Sequence, residues 1–170
     1  MKESAQERPL DAIDRALLQE LQTNSRISNV ELAQRVELSP PAVHTRVKRL
    51  EQLGFITHYT AILDRQKLGL DMLCFIRLTL ASHDLRSIEN FRAAILAMPE
   101  VLEAYFLTGE YDYMLKVMVQ NRQHLETFLL ERITPMPGIA RINTSLVLTE
   151  LKQTTEISLD DLAPPDSPHG

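Results

Sequence analysis

Two helix-start signals that stand close together constrain the first third of the chain more than any other feature. Ser28 is followed three residues later by Glu31, which is the pattern of a capping box. Ser39 is followed by Pro40, a residue that is well tolerated at the first position of a helix. The helix that begins after Ser28 is therefore short, and only residues 37–39 separate it from the next one. This arrangement predicts a helix-turn-helix.

The spacing of apolar residues predicts a longer helix on each side of this short one. Leucine and isoleucine recur at helical intervals over residues 10–22, and valine and leucine do so over residues 40–53. Gly54 then follows as the residue type that commonly ends a helix. The next stretch, residues 55–63, is rich in β-branched and aromatic residues and predicts a strand or a small wing.

The second half of the chain alternates between strand-like and helix-like segments. Strands are expected over residues 72–80, 101–108, 113–119 and 139–150, and helices over residues 85–97 and 124–133. The order β-α-β-β-α-β is that of the ferredoxin-like split unit. The expected fold class is therefore α+β, with an N-terminal winged helix-turn-helix and a C-terminal ferredoxin-like βαββαβ domain.

A charged stretch that contains a glycine, residues 64–70, is the expected linker between the two domains. The last residues are proline-rich and acidic, so we expect a mobile tail. We expect five regions, namely a mobile N-terminus, the helix-turn-helix domain, the linker, the βαββαβ domain and the mobile tail, over residues 1–9, 10–63, 64–70, 71–157 and 158–170.

Composition excludes several classes of protein. No apolar run approaches the roughly 20 residues that span a bilayer, and the polar N-terminus lacks the apolar segment of a signal peptide. Cys74 is the only cysteine, so the chain cannot form an internal disulfide or a cysteine-based zinc site, and a buried, inert thiol is expected. The histidines His44, His58, His83, His124 and His169 show no metal-ligand spacing. A cytoplasmic chain with no metal, no cofactor and no membrane partner is therefore expected.

The net charge of −5 hides an uneven distribution. Residues 1–60 carry eight basic and eight acidic residues, whereas residues 44–49 of the third helix contain three cations. Helical spacing places these cations opposite the apolar sector, with Arg46 nearer the edge of the buried side. Because the second helix of a helix-turn-helix fits the major groove, we expect this face to bind double-stranded DNA. The candidate DNA-binding residues are Ser39, Pro41, His44, Thr45, Arg46, Lys48, Arg49 and Gln52.

On these residues, the chain resembles the Lrp/AsnC family of bacterial and archaeal regulators. The similarity follows the family's order in LDAIDRALLQELQTNSRIS (10–28), VELAQRVELSPPAVHTRVKRLEQLGFITHYTAILD (30–64), MPEVLEAYFLTGEYDYMLKV (98–117) and PGIARINTSLVL (137–148). The resemblance implies a DNA-binding transcriptional regulator with a ligand-sensing second domain, whose effector is usually an amino acid bound at an oligomer interface. It also implies homo-oligomers, in which dimers built through the second domain assemble into tetramers or octamers.

The loop at residues 108–113 matches the effector-binding loop of that family. The residues alone are typical of a β-hairpin turn in which Gly109 supplies a positive φ and Asp112 bonds nearby amides. The resemblance implies that a ligand approaches the backbone at Gly109 and that Asp112 pairs with its ammonium group. It also implies that three residues of the last strand face the same pocket from a neighbouring subunit. The candidate effector-binding residues are Thr108, Gly109, Glu110, Tyr111, Asp112, Tyr113, Asn143, Thr144 and Ser145.

Two other functions are weighed against a ligand-responsive regulator. One is an architectural DNA-binding protein that needs no effector. The other is an enzyme, because sirohaem decarboxylases resemble this family in fold; their catalysis needs histidine and arginine residues positioned in a cavity wide enough for a tetrapyrrole. The second half of the chain offers no clear histidine–arginine pair, and His44 lies beside the basic face of the third helix. We therefore expect a regulator and no enzyme.

Overall fold

The computed structural model describes residues 10–81 and 85–159, which divide into two compact units. Of the described residues, the first unit contains residues 10–61 and 152–159, and the second contains residues 62–81 and 85–151. Within the described ranges, no helix is long and apolar enough to cross a membrane.

Some sequence expectations concern residues that the structure does not describe. The expected mobile N-terminus, residues 1–9, lies outside the described residues, as do His83 and residues 160–170 of the expected tail, which include His169.

Three helices form the first unit, namely α1 (Ala12–Thr23), α2 (Asn29–Arg35) and α3 (Pro40–Gln52). The predicted capping box at the start of α2 is confirmed, because the Glu31 amide donates to Ser28 Oγ at 3.2 Å and the Ser28 amide donates to the Glu31 carboxylate at 3.0 Å. These hydrogen bonds satisfy amides that have no partner within the helix. The predicted helix-turn-helix is thereby present.

Both ends of α3 lie where the sequence places them. Ser39 is the N-cap residue, although its side chain makes no capping hydrogen bond. At the other end, Gly54 has a φ of +79°, and its amide donates to the Glu51 carbonyl at 3.0 Å. The Phe55 amide donates to the Leu50 carbonyl at 3.0 Å, which completes the pair of bonds that commonly closes a helix at a glycine.

The predicted strand over residues 55–63 is wrong for this structure. Residues 57–64 have no regular secondary structure, and within the described ranges no strand pairs with them. An isolated strand is not stable, because its backbone amides and carbonyls need a neighbouring strand. The apolar side chains of this segment are instead largely exposed, including those of Phe55, Ile62 and Leu63.

The second unit has the predicted order of elements. They are β1 (Met72–Leu80), α4 (Leu85–Leu96), β2 (Val101–Phe106), β3 (Tyr113–Val119), α5 (Arg122–Thr127), a π-helical turn (Phe128–Ile133) and β4 (Ile139–Leu146). The strands form one antiparallel sheet in the order β2-β3-β1-β4. The predicted ferredoxin-like βαββαβ arrangement is therefore confirmed.

Two details of these elements differ from the sequence expectation. The expected helix over residues 124–133 is not α-helical throughout, because it ends in the π-helical turn. There the Thr134 amide donates to the carbonyl of Leu129, five residues earlier, at a distance of 2.8 Å. Strand β4 is shorter than expected because β1, the strand with which it pairs, begins near this point. The Val147 amide donates to the carbonyl of Leu73, the second residue of β1, at 2.9 Å.

One face of the sheet packs against the helices, and the other face does not. Ile76, Leu78, Leu115 and Val117 are buried in a core that also contains Phe91 of α4. Alternate residues of the same strands lie on the opposite face. That second face carries much of the polar chemistry described below.

The C-terminal segment, residues 152–159, belongs to the first unit, whereas the sequence analysis assigned residues up to 157 to the second domain. The Gln22 side chain donates to the Ile157 carbonyl at 3.1 Å and accepts from the Ile157 amide at 2.7 Å. Leu159, which the sequence analysis placed in the mobile tail, packs against the apolar core of the three helices. The composition of the tail does not predict these contacts, because they depend on only two side chains, those of Gln22 and Leu159.

Candidate functional site

Helix α3 buries one side and exposes the other, as its spacing predicts. Val43 and Leu50 are fully buried in the core of the first unit. The exposed side carries mainly hydrogen-bonding and cationic groups, and its members are Pro41, His44, Thr45, Lys48, Glu51 and Gln52. A helix with such a face at the second position of a helix-turn-helix has the shape and the donors to enter a major groove.

Two of the three predicted cations of α3 are engaged within the protein. Arg46 Nη1 lies 2.8 Å from Asp14 Oδ1 and 2.7 Å from Asp11 Oδ2, and Arg49 Nη2 pairs with Asp14 Oδ2. Asp14 is fully buried at 0% exposure, whereas the side chains of Arg46 and Arg49 are 28% and 31% exposed. The hydrogen bonds to Asp11 and then to Asp14 raise the pKa of Arg46. The two arginines therefore link α3 to α1, which the sequence analysis did not foresee.

Asp14 is the residue that sequence reasoning missed here, although the sequence contains the signal. It lies four residues after Leu10 and three before Leu17, so it falls within the apolar sector of α1. A carboxylate in that sector needs a charged partner, because burying an unpaired charge is costly. The position of Arg46 at the edge of the buried side of α3 is the matching signal.

Lys48 is the third predicted cation, and it lies exposed on α3. Among the described residues it has no carboxylate within ion-pairing distance. Near it, His44 Nδ1 lies 3.4 Å from Asn29 Nδ2, and the Thr45 hydroxyl donates to the Pro41 carbonyl at 3.0 Å. The exposed face therefore presents one cation without an ion-pair partner among the described residues, together with neutral side chains and one carboxylate, that of Glu51.

The acidic residue at the end of this face is also engaged. The Tyr59 hydroxyl donates to Glu51 Oε1 at 2.9 Å. Burial, followed by this hydrogen bond, raises the pKa of Tyr59 to about 12. The tyrosine therefore stays neutral and donates a hydrogen bond to this carboxylate.

In the second unit, the loop between β2 and β3 is the predicted hairpin turn. Gly109 has a φ of +129°, and beyond the glycine and its two chain neighbours no described atom lies within 4 Å of the position that a Cβ would occupy, so the loop is open there. The Asp112 carboxylate accepts the Leu80 amide at 2.7 Å, and the Asp112 amide donates to the Leu78 carbonyl at 2.9 Å. Asp112 thus attaches the loop to the end of β1 rather than only bonding local amides.

Two predicted effector residues do not share a face with the others. The Tyr113 ring is 6% exposed and packs 4.5 Å from the Phe91 ring in the core beneath the helices. Thr144 lies opposite Ile76, on the helix-covered side of the sheet, because side chains alternate along β4. The expectation that Asn143, Thr144 and Ser145 face one pocket is therefore wrong for Thr144.

The remaining candidates lie near two arginines that sequence reasoning missed. The guanidinium carbons of Arg77 and Arg141 lie 5.2 Å and 5.5 Å from the centroid of the Tyr111 ring. Arg77 Nη2 donates to Ser145 Oγ at 2.7 Å, and Arg141 Nη1 lies 3.2 Å from Glu110 Oε1. We call these five residues the sheet-face cluster. Its sequence signal is the single charged residue, Arg77, in the strand MLCFIRLTL.

Two further effector candidates and the cysteine complete the description of this unit. Asn143 lies opposite Arg77 in the register of β4 and β1, so it shares the face of the cluster, and Thr108 is exposed in the loop. Cys74 is buried as predicted, and burial raises the pKa of its thiol. Within residues 10–81 and 85–159, no group of three histidine, cysteine or acidic side chains is arranged to hold a metal ion.

Two family models match the two units. A model described as "Winged helix-turn-helix DNA-binding" matches residues 10–57, and one described as "Lrp/AsnC ligand binding domain" matches residues 73–157. The chain is 40% identical over 148 residues to the leucine-responsive regulatory protein of Salmonella typhimurium, covering 87% of this chain and 90% of that protein. This chain belongs to the Lrp/AsnC family.

Three other similar proteins agree with this assignment. Transcriptional regulator AzlB of Bacillus subtilis is 33% identical over 153 residues, which cover 90% of this chain and 98% of that protein. A transcriptional regulator of Neisseria meningitidis, solved as a complex with L-Met, has a TM-score of 0.86 at 36% identity, covering 89% of this chain and 97% of the other. Escherichia coli AsnC has a TM-score of 0.80 at 32% identity, with coverages of 86% and 97%.

Each candidate region of this Lrp/AsnC regulator lies within one of the two family models. The winged helix-turn-helix model includes all of α1, α2 and α3, and the ligand-binding model includes every residue of the sheet-face cluster. Leu159 lies beyond both models, so its contact with the helical core is a feature that the family assignment does not supply.

Proposed function

We propose that this Lrp/AsnC regulator binds double-stranded DNA through the exposed face of α3 and that an amino acid modulates this binding or the assembly of subunits. The observation that carries the DNA-binding part is the exposed Lys48, which no carboxylate compensates among the described residues, in a row with neutral hydrogen-bonding side chains. A lysine attracts phosphate, and each phosphate that it neutralises releases counterions.

In this proposal the predicted DNA-binding residues have two roles. Pro41, His44 and Thr45 lie towards the N-terminal end of α3, where side chains of a recognition helix approach base edges. Lys48 and Gln52 lie further along the same face, within reach of phosphate or base edges, and Ser39 lies at its start. In this proposal the two arginines of α3 position the helix against α1 and do not carry the main contact with DNA.

The effector part of the proposal is supported by the match to a ligand-binding family model and by the relative from Neisseria meningitidis that was solved with L-Met. The open backbone at Gly109 leaves room for a ligand beside the β2–β3 loop. The remaining predicted effector residues, without Tyr113 and Thr144, lie on this loop or on the same face of the sheet, namely Thr108, Gly109, Glu110, Tyr111, Asp112, Asn143 and Ser145.

We further propose that the chain works in the cytoplasm as a homo-oligomer, with dimers that assemble into tetramers or octamers. Exposed apolar side chains support this, because Ile62 and Leu63 are 76% and 69% exposed in a segment without regular structure. Large exposed apolar groups of this kind commonly mark contact surfaces. Because the relatives described above are named as regulators, we propose a regulator and not a sirohaem decarboxylase-like enzyme.

The test is fluorescence anisotropy of the full chain on a DNA fragment from upstream of its own gene, at several salt concentrations, with and without a mixture of amino acids. We expect tight, salt-dependent binding that Lys48→Ala weakens. Lys67→Ala is the matched control, because Lys67 is an exposed lysine outside α3. Binding that ignores amino acids favours the architectural alternative, and the absence of any DNA binding at low salt contradicts the proposal.

A further inference from the structure

A hollow of about 410 Å³ in the first unit is lined by residues of α1, α2, α3 and the segment that follows α3. Part of its lining is apolar and buried, including Leu21, Ile27 and Leu32. The polar side chains of the lining are those of Ser25, Asn29, His44, Lys48, Glu51 and Tyr59. Because three of these belong to the exposed side of α3, the hollow is part of the surface that we propose to bind DNA.

The lysine and the glutamate of this hollow do not pair with each other. Lys48 and Glu51 are three positions apart on α3, a spacing at which oppositely charged side chains reach one another on a helix surface. Glu51 Oε1 instead accepts a hydrogen bond from the Tyr59 hydroxyl at 2.9 Å. Lys48 therefore lines the hollow without a carboxylate within ion-pairing distance in residues 10–81 and 85–159.

The bond from Tyr59 to Glu51 depends on one hydroxyl group. Burial and the hydrogen bond itself raise the pKa of Tyr59 to about 12, so the hydroxyl stays protonated and donates at neutral pH. Tyr59 lies in residues 57–64, which have no regular secondary structure, so no helix or sheet holds it beside α3. Removing a single oxygen atom is therefore enough to test what this bond does.

The other polar groups of the hollow carry no negative charge. Ser25 contributes a hydroxyl group, and Asn29 Nδ2 lies 3.4 Å from His44 Nδ1. Lysine, serine and asparagine side chains are among those that commonly bind phosphate oxygens of DNA. With Glu51 engaged by Tyr59, the hollow combines the charge of Lys48 with hydrogen-bonding groups, which suits a singly charged phosphate diester.

We propose that this hollow binds one phosphate of the DNA backbone through Lys48, and that Tyr59 is a positioning residue that keeps Glu51 from neutralising Lys48. Without the Tyr59 hydroxyl, the Glu51 carboxylate is free to pair with Lys48 and to repel the phosphate. A tyrosine outside the three helices then sets how much positive charge α3 offers to DNA. This inference rests on the proposed function, because it takes the exposed side of α3 to bind DNA.

The first measurement compares Tyr59→Phe with the unmodified full chain in the anisotropy titration on DNA. We expect Tyr59→Phe to weaken DNA binding about 3- to 5-fold, because Glu51 then competes with the phosphate for Lys48. In a Glu51→Gln background the same substitution is expected to have no effect, because no carboxylate is left beside Lys48. A purely structural role of Tyr59 predicts the same loss in both backgrounds.

The matched control for this measurement is Tyr105→Phe. The Tyr105 hydroxyl also donates to a glutamate, Glu103, but this pair lies in the second unit. The substitution is expected to leave DNA binding unchanged. Thermal melts of all variants confirm that they are folded.

The second measurement identifies the phosphate. Uncharged methylphosphonate linkages replace the phosphates one at a time in the shortest duplex that the unmodified chain binds tightly. We expect one position at which this change weakens binding of the unmodified chain about 5-fold but has little further effect on Lys48→Met, because the same interaction is already lost. Lys67→Met, which alters an exposed lysine outside α3, is the control and should keep the full effect at that position.

The outcomes separate this inference from the proposed function. If Tyr59→Phe binds DNA as tightly as the unmodified chain, or loses the same affinity with and without Glu51, the role of Tyr59 is wrong. If no methylphosphonate position depends on Lys48, the phosphate site is wrong. Either result overturns the inference while DNA binding by the chain stands. If the unmodified chain binds no DNA at low salt, the DNA-binding part of the proposed function fails and the inference fails with it.

Discussion

The two units each contain a pair of arginines that converge on one acceptor, and the acceptors differ. Arg46 and Arg49 of α3 meet the fully buried carboxylate of Asp14. Arg77 and Arg141 of the sheet meet the ring of Tyr111 and groups that are neutral or exposed. The first pair is neutralised by a buried carboxylate, whereas the second has only an exposed carboxylate and neutral groups beside it among the described residues. The difference shows that the partner of an arginine, rather than its presence in a basic run, determines whether it can bind something else.

The largest expected effect comes from removing the buried charge of the first pair. Asp14→Asn keeps the shape of the side chain and its capping acceptor but removes the carboxylate that two guanidiniums share, so that Arg46 keeps only Asp11 and Arg49 has no carboxylate partner among the described residues. We expect a loss of about 2–3 kcal/mol in the free energy of unfolding of the first unit, measured by urea denaturation. The arginines are partly exposed, which keeps the loss below that of a fully buried pair.

The matched control for this change is Glu20→Gln, which breaks the exposed ion pair between α1 and Arg35 of α2. Such surface pairs contribute roughly 0–1 kcal/mol. Asp14→Asn also frees Arg49 beside the face of α3 that we propose to bind DNA, so the salt dependence of DNA binding is expected to steepen. An Asp14→Asn protein as stable as Glu20→Gln, with an unchanged salt dependence, would show that the first pair is not structural.

The C-terminal segment tests whether α1 is held by this ionic network alone. Leu159 packs on the core of the three helices from the end of the described chain. Leu159→Ala is expected to lower the free energy of unfolding of the first unit by about 1 kcal/mol, because a partly buried leucine loses part of its transfer free energy. Leu151→Ala, at a leucine that is 95% exposed, is the control and should leave stability unchanged. If the two variants had the same free energy of unfolding, the contact of Leu159 with the helical core would not stabilise the first unit.

Sequence reasoning predicted the elements well, because their signals are local. The capping pair at Ser28, the glycine at the end of α3 and the alternating strands each depend on residues within a few positions of one another. The strand over residues 55–63 was wrong for the opposite reason: strand propensity is local, but a strand exists only where a partner lies beside it.

The candidate sites were predicted less completely, because charge partners are distant in sequence. Asp14 and Arg49 are separated by 35 residues, and a basic run alone does not show which cation is already paired. Arg141 and Tyr111 meet only because β4 returns beside β1, next to the β2–β3 loop. Thr144 was misplaced although alternation along a strand is local, because three consecutive residues were assigned to one face.

A comparison within α3 gives the next prediction. Lys48→Ala is expected to reduce the slope of log affinity against log salt by about 1, because one phosphate contact is lost. Arg49→Ala should change this slope less and reduce the stability of the first unit more, because Arg49 is paired with Asp14. The anisotropy titration described above, with urea denaturation of the same proteins, separates the two effects. The reverse pattern would show that Arg49 contacts DNA and that Lys48 does not.

The smallest expected effect concerns Lys116, a cation of the sheet face whose carboxylate partner is exposed. Lys116 Nζ lies 2.8 Å from Glu103 Oε1, and this hydrogen bond, followed by one from Tyr105, lowers the pKa of Glu103. A lowered pKa in the folded state means that the ionised carboxylate stabilises the fold above its unfolded pKa of about 4.3. This contribution is lost as the pH falls through the lower, folded-state value.

The Glu103→Gln variant measures that contribution. Because the Glu103 side chain is 41% exposed, we expect a difference from the unmodified chain of less than about 1 kcal/mol at neutral pH. The difference should stay constant down to about pH 5 and shrink below about pH 4, in urea denaturation at a series of pH values. A difference that grows as the pH falls would have the wrong sign for a carboxylate stabilised by Lys116. If Glu103→Gln lowered the free energy of unfolding as much as Asp14→Asn does, the exposed carboxylate would stabilise the protein as much as the buried one. Burial of the carboxylate would then not explain the difference between the two ion pairs.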